Sequence, residues 1–438
     1  MDNTFALISL GCAKNLVNSE QMLYLMDEAG FRLVPEPAGA DLVIVNTCGF
    51  IDAAKSEAID TILEMAELKR QGELGGIIVT GCLSERYKDS ILSELPEIDA
   101  VLGVGSFGDI VAAANTVGAG RSLSLFADNS APIDEIPRVV STGPGWAYLR
   151  IAEGCNNFCA FCAIPYIRGR YRSRKLENIL EEAKELAARG IKELIIIAQD
   201  ITRYGTDLYG KRSLAELCRE LAKIEGIEWL RLHYLYPDQF DDELIDEIAS
   251  NDKIVKYLDI PIQHINDRIL KSMNRKGTGS EIRALFKKLK ERIPGLVLRT
   301  SLIAGLPGEG EAEFEELCEF LREAEIPRVG VFPFSPEEGT PAAAMAHVDS
   351  KVAERRAELV MELQAPIMER FCQSFVGQTI RVLYEYYDEE SGYHVGRSYA
   401  DSPDIDGQVL FSGVCKEGEM CDVLILSTED GLLFGEEV

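Results

Sequence analysis

At 438 residues the chain is too long for a single hydrophobic core, and two or three domains are expected. Its 46% hydrophobic and 27% charged residues, short apolar runs and lack of a signal-peptide pattern predict a globular protein of the cytoplasm, excluding membrane-spanning and secreted roles. A net charge of -28 repels phosphate backbones and attracts basic partners, so direct nucleic-acid binding is not favoured.

The first third alternates β-rich runs with helical stretches: Phe5 to Leu10 then Ser19 to Glu28, Leu42 to Asn46 then Ala53 to Leu68, Ile77 to Thr80 then Glu85 to Leu92. This alternation predicts an α/β fold with a doubly wound parallel sheet. From Phe126 to Trp146 the pattern lapses around Pro132, Pro137 and Pro144, which predicts a linker. A second series of βα units then begins, with strand candidates Ala147 to Ala152, Glu193 to Ala198, Trp229 to Leu235, Lys256 to Ile262, Leu296 to Ile303 and Arg328 to Phe334. Six consecutive units predict a partial (β/α)6 TIM-like barrel with its chemistry at the C-terminal ends of the strands. A long helix from about Lys351 to Ser374 closes that region. Beyond Phe375, short alternating strands separated by turn signals such as Glu390-Ser391-Gly392 predict a small OB-like all-β module. The expected divisions are residues 1–120, a linker over 121–140, a core over 141–373 and the module over 374–438.

Eleven cysteines in a reducing compartment are available for metals rather than disulfides, and their spacing decides between uses. Cys155, Cys159 and Cys162 follow the first strand of the second series through Glu153 and Gly154, on a loop at the predicted catalytic end. Three thiolates so spaced can ligate three irons of a 4Fe-4S cluster and leave the fourth open. A structural zinc site would need another cysteine or histidine nearby, and the nearest histidine in sequence is His233.

This run resembles the signature of the radical S-adenosylmethionine superfamily, three cysteines separated by three and two residues with an aromatic, Phe161, before the last. The resemblance implies that the open iron chelates S-adenosylmethionine and that one electron then releases a 5'-deoxyadenosyl radical. It also implies cofactor contacts: Phe161 near the adenine, Gln199 and Asp200 near the methionine moiety, and Ile303 and Gly305 in the adenine-contacting stretch 301–309. For Gln199 and Asp200 the alternative is a pair of loop polar groups satisfied locally.

Cys12, Cys48 and Cys82 are far apart in sequence but each directly follows a strand run, in Leu10-Gly11-Cys12, Asn46-Thr47-Cys48 and Thr80-Gly81-Cys82. In a parallel sheet those ends share one edge, so the three thiols are expected to converge. The remaining cysteines, Cys218, Cys318, Cys372, Cys415 and Cys421, fall inside helical or strand patterns and read as core.

With both triads the whole chain resembles the methylthiotransferase family, built from an N-terminal domain, a radical core and a C-terminal TRAM domain. The resemblance implies a second, auxiliary 4Fe-4S cluster on Cys12, Cys48 and Cys82. It further implies two S-adenosylmethionine molecules, one a methyl donor and the other the radical source, and an electron donor of flavodoxin or ferredoxin type. Residues 9–20, 46–51 and 396–401 resemble the branch that modifies an aspartate β-carbon of small-subunit ribosomal protein S-twelve, free or in ribosomal particles. Ala13 and Asn18 stand where that branch often has proline and aspartate.

Charge supplies an independent reading. From Phe375 onward three basic residues face fourteen acids, 3 − 14 = −11. A barrel gripping tRNA should be basic, whereas one docking a basic ribosomal protein suits this acidity. Arg168, Arg170, Arg172 and Arg174 form the densest basic run, and one or more of them are expected to orient a carboxylate of cofactor or substrate, with a solvated loop or structural ion pairs as the alternative. The competing functions are a tRNA methylthiotransferase and a non-catalytic iron-sulfur scaffold.

Overall fold

A computed structural model describes residues 3–438. The chain condenses into two compact units. One takes in the chain up to Ser141, then Ala152–Arg172 and Ser335–Ala343; the other takes in Thr142–Ile151, Ser173–Phe334 and Ala344–Val438.

The first unit is built on six parallel strands, β1 (Thr4–Ser9), β2 (Arg32–Leu33), β3 (Leu42–Thr47), β4 (Ile77–Gly81), β5 (Ala100–Leu102) and β6 (Leu123–Leu125), in the order β2-β1-β3-β4-β5-β6. Helices α1 (Ala13–Glu28), α2 (Asp52–Arg70), α3 (Cys82–Tyr87), α4 (Asp89–Glu94) and α5 (Ile110–Gly118) connect them. Val43, Ile44, Val45, Ile77, Ile78 and Val79 are all fully buried, as central strands covered on both faces require. One face packs against Ala58, Ile62 and Met65 of α2, the other against Met22 and Met26 of α1 and Ala113 and Ala114 of α5. Strand order reverses between β1 and β3, and in such sheets ligands bind beyond the C-terminal ends of the strands at the reversal.

The expected linker is corrected in part. Its first residues contain β6, and the remainder is pinned to α1: Arg138 pairs with the buried Glu20, whose Oε1 accepts from Ser141 N at 2.7 Å and Ser141 Oγ at 2.9 Å. Gln21 also donates to Ile136 O at 3.0 Å. Such pinning rests on single residues more than 100 positions apart and leaves no periodic trace. Strands β2, β5 and β6 are two or three residues long, too short for an alternating pattern to register.

The core strands of the second unit are β7 (Trp146–Arg150), β10 (Glu193–Ile197), β11 (Trp229–Leu232), β12 (Ile254–Asp259), β13 (Val297–Ala304) and β14 (Arg328–Pro333); the short strands β8 (Ala152–Glu153) and β9 (Arg172–Ser173) bracket the cysteine loop. The six core strands are parallel and sequentially ordered, with β7 and β14 as the two edges, which is the expected partial barrel. Helix α6 (Ile164–Arg168) lies in the cysteine loop, and α7 (Leu176–Ala188), α8 (Leu214–Leu221), α9 (Asp242–Ser250), α10 (Asp267–Ser272), α11 (Gly279–Arg292) and α12 (Glu311–Ala324) link the strands. The long helix α13 (Ser350–Gln373) follows β14 and packs against it and β13. Gly305, at φ +78°, leaves no room for a side chain, because a Cβ there would lie 2.3 Å from Ala353 Cβ of α13. Its requirement for glycine is therefore explained by helix packing.

Strands β15 (Thr379–Asp388), β16 (Tyr393–Ser398), β17 (Val409–Ser412), β18 (Met420–Glu429) and β19 (Leu432–Glu437) close into a small barrel, as expected of an OB-like module. The barrel is locked to the core by a buried charge network. Glu193 of β10 takes Arg231 Nε at 2.6 Å and Arg397 of β16 at 2.7 Å, and Arg397 also reaches Glu385 at 2.8 Å. Tyr257 donates to Asp406 at 2.6 Å, and Arg328 pairs with Asp401. Several of the module's acids are thus structural, while Glu389, Glu390, Glu417, Glu419, Glu429 and Glu436 stay exposed.

Burial opposes ionisation of Glu193, but Arg231 and Arg397 outweigh it and hold the carboxyl below its usual range. Glu193→Ala leaves the buried Arg231 without a carboxylate and Arg397 with Glu385 alone, and is expected to cost about 3–5 kcal/mol in denaturant unfolding. The contribution of Glu193 is complete above its unfolded pKa of about 4.3 and is lost as pH falls through the lower folded value; unfolding of the parent and the variant across that window measures it.

Candidate functional site

Register brings the first triad together. Ser9, Asn46 and Thr80 are side-by-side partners on β1, β3 and β4, so the residues that follow these strands emerge at one edge. The turns are held from below by α1. Asn15 Nδ2 donates to Leu10 O at 2.8 Å and Thr47 O at 3.0 Å, and Asn46 Nδ2 donates to Asn15 O at 2.9 Å and Ser19 Oγ at 2.8 Å. Gly81, at φ +100°, passes so close to β3 that a Cβ would lie 2.4 Å from Thr47 O. That conformation turns the chain directly from β4 into α3, placing Cys82 at the helix start. Gly11 passes so close to the second turn that a Cβ there would lie 3.1 Å from Cys48 Sγ, which sets the turns bearing Cys12 and Cys48 against each other.

Their surroundings differ. Cys12 is exposed, Cys48 half-buried and Cys82 buried beside Val104, Ala163 and Ile167. The Lys14 charge, then that of Arg168, and the Asn15 and Lys14 backbone hold the exposed Cys12 thiol below its ordinary range. Burial, reinforced by its neighbours Cys82 and Cys12, pushes Cys48 up to about 11. Burial also raises Cys82. Arg168 lies directly against Cys82: its Nε donates to Cys82 Sγ at 3.3 Å, and its other nitrogens reach Glu153 Oε2 at 2.9 Å and Asn15 Oδ1 at 2.8 Å.

The second triad belongs to the same unit. Its loop is closed at the base by Cys155 N donating to Gly169 O at 3.1 Å and by the Glu153–Arg168 pair. Within it, Asn157 N donates to Cys155 Sγ at 3.5 Å and Cys162 N to Cys159 O at 3.0 Å. Phe158 takes a left-handed backbone, φ 49°, under the Arg170 guanidinium at 4.6 Å and edge-on to Tyr166. Phe161 is half-buried. Among the described residues no three Cys, His, Asp or Glu side chains are set as ligands of a single ion. A 4Fe-4S cluster instead takes each thiolate at a different iron, and two sets of three thiols, one beside a buried cation, suit that donor chemistry.

The remaining expected site residues lie in the other unit. Gln199, half-buried, and Asp200, fully buried, follow β10. Asp200 accepts from the backbone and hydroxyl of Thr202 and from Arg203 Nε at 3.0 Å, the locally satisfied arrangement. Ile303 is half-buried on β13 and Gly305 follows that strand. Sequence reasoning singled out the arginine run but missed the use of its first member. Arg168 faces Cys82, Arg172 donates to the Arg170 carbonyl at 3.2 Å, and Arg174 pairs with Glu182. Asn15 and Glu153 were also missed, since nothing local marks them. Cys415, read as core, is half-buried, whereas Cys421 is buried and its thiol donates to Val382 O at 3.7 Å.

The fold and the cysteine loop define a radical S-adenosylmethionine enzyme. Residues 149–321 match the Radical SAM superfamily, residues 4–103 the Uncharacterized protein family UPF0004 and residues 376–438 the TRAM domain. The chain is 46% identical to the ribosomal protein uS12 methylthiotransferase RimO of Acetivibrio thermocellus, over 100% of this chain and 99% of that one. It is 49% identical to RimO of Caldanaerobacter subterraneus subsp. tengcongensis, over 98% and 99%. The chain belongs to the RimO family of radical methylthiotransferases. In fold it is similar to the radical S-adenosylmethionine methyltransferase TsrM from Kitasatospora setae, with a TM-score of 0.58 at 15% identity over 78% of this chain and 77% of that one.

Thiolate fraction and exposure set alkylation rates. In metal-free protein at pH 8, Cys12 is expected to react with iodoacetamide well before Cys48 and Cys82, as followed by peptide mass spectrometry; equal rates would contradict the electrostatics described.

Proposed function

We propose that the chain is a ribosomal protein uS12 methylthiotransferase that inserts a methylthio group at the β-carbon of an aspartate in that protein. The observation that carries this reading is the presence in one compact unit of two cysteine triads, one gathered by strand register and one on a single loop. Cys155, Cys159 and Cys162 would hold the 4Fe-4S cluster that binds S-adenosylmethionine, and Cys12, Cys48 and Cys82 an auxiliary one. When bound, these clusters supply the electron for cofactor cleavage and a site for the sulfur to be transferred. One S-adenosylmethionine serves as methyl donor and a second as radical source, with a flavodoxin or ferredoxin as reductant in the cytoplasm.

The protein's own residues prepare these roles. Asn15 and Asn46 fix the turns carrying Cys12 and Cys48, and Gly81 aims Cys82. Glu153 and Arg168 close the loop that bears the second triad. Phe161, Gln199, Asp200, Ile303 and Gly305 are assigned to S-adenosylmethionine on the family pattern, Asp200 and Gly305 shaping backbone. Exposed acids on the C-terminal barrel, with the exposed Tyr386, Tyr387 and Tyr393, suit a basic protein better than tRNA, whose phosphates they would repel.

Reconstituted anaerobically and reduced, the full chain is expected to add a methylthio mass to uS12, located on one aspartate by fragment mass spectrometry. The Cys12→Ala, Cys48→Ala, Cys82→Ala triple variant should still produce 5'-deoxyadenosine but no methylthiolated protein; the Cys155→Ala, Cys159→Ala, Cys162→Ala variant should produce neither. A methylthio group on a tRNA adenosine and none on uS12 would assign the substrate to RNA. No 5'-deoxyadenosine from fully loaded protein would favour the scaffold.

A further inference from the structure

We propose that Arg168 is a positioning residue that sets the reduction potential of the cluster on Cys12, Cys48 and Cys82, with Glu153 as its counterweight. The inference rests on the reading that this triad holds a cluster. Arg168 is only 2% exposed, and a guanidinium taken so far from water requires compensating partners. It has three: the Cys82 sulfur at 3.3 Å, the Glu153 carboxylate at 2.9 Å and the side-chain Oδ1 of Asn15 at 2.8 Å. Asn15 in turn grips the main chain before Cys12, at Leu10 O, and before Cys48, at Thr47 O. The guanidinium is thereby fixed with respect to all three cysteine turns, and its charge is felt at all three thiols.

Reduction adds negative charge to a thiolate-ligated cluster. A nearby cation and an N–H donor to a ligand sulfur stabilise the reduced form more than the oxidised one and raise the potential. Glu153 acts in the opposite sense, since it partly cancels the cation. The two residues also stand at the two ends of the Cys155–Cys162 loop, so the loop that bears one triad contributes the charge that governs the other. A purely structural ion pair would respond alike to loss of either member. The electrostatic role predicts opposite responses.

The test uses the full chain carrying Cys155→Ala, Cys159→Ala and Cys162→Ala, so that only the first triad can load. Iron and sulfide content establish occupancy, and a redox titration followed by electron paramagnetic resonance gives the midpoint potential. Arg168→Gln is expected to shift that potential negative, Glu153→Gln to shift it positive, and Arg168→Lys to fall between Arg168→Gln and the parent. Unchanged potentials in loaded Arg168→Gln and Glu153→Gln proteins, or shifts of the same sign, would overturn the proposal. If Arg168→Gln fails to load, the sign of the Glu153→Gln shift decides, a zero or negative shift counting against it. Absence of any cluster from the parent triple variant would instead refute the assignment of the first triad.

Discussion

Gathering three thiolates at one place is an electrostatic problem before it is a chemical one, and the first unit is organised around it. Parallel register places the ends of β1, β3 and β4 abreast. Burial pushes the Cys48 thiol up to about 11, and the nearness of Cys82 and Cys12 adds to that rise. The structure answers with two buried cations, Lys14 and Arg168, and with asparagines that hold the turns by neutral hydrogen bonds. These choices explain why an arginine in a strongly acidic chain is buried at this point rather than spread over the surface.

The second unit handles charge differently. Its buried network runs through Glu193, Arg231, Arg397 and Glu385, with both signs present and each carboxylate shared or paired. The network joins the small barrel to β10 and β11 of the parallel sheet and absorbs several acids that composition alone would count as surface. What remains outside is still acidic, so the inference of a basic macromolecular partner survives the partition on fewer residues.

Much of this architecture was legible in the sequence because long elements repeat their signal. The six core strands and α13 carry apolar periods over many residues and lie within a few residues of their expected positions. The first triad was readable from a topological rule, since strand ends in a parallel sheet must share an edge. The pinned segment from 126 to 141 was not readable, because Glu20, Arg138 and Ser141 make single contacts across more than 100 residues. The role of Arg168 was hidden for the same reason: a run of four arginines looks uniform, while the fold gives each member a different partner.

The first unit is assembled from three separate lengths of chain, with Arg168 contributed by the second and Glu337 by the third. Glu337 is nearly inaccessible and binds Arg86 at 2.9 Å and Lys55 at 3.1 Å. The N-terminal sheet is therefore not a cassette that recombination could exchange between genes at one crossover. Any ancestor that acquired it had to co-adapt two distant patches of the radical core, so inheritance of these segments is expected to be linked even though they are scattered along the chain.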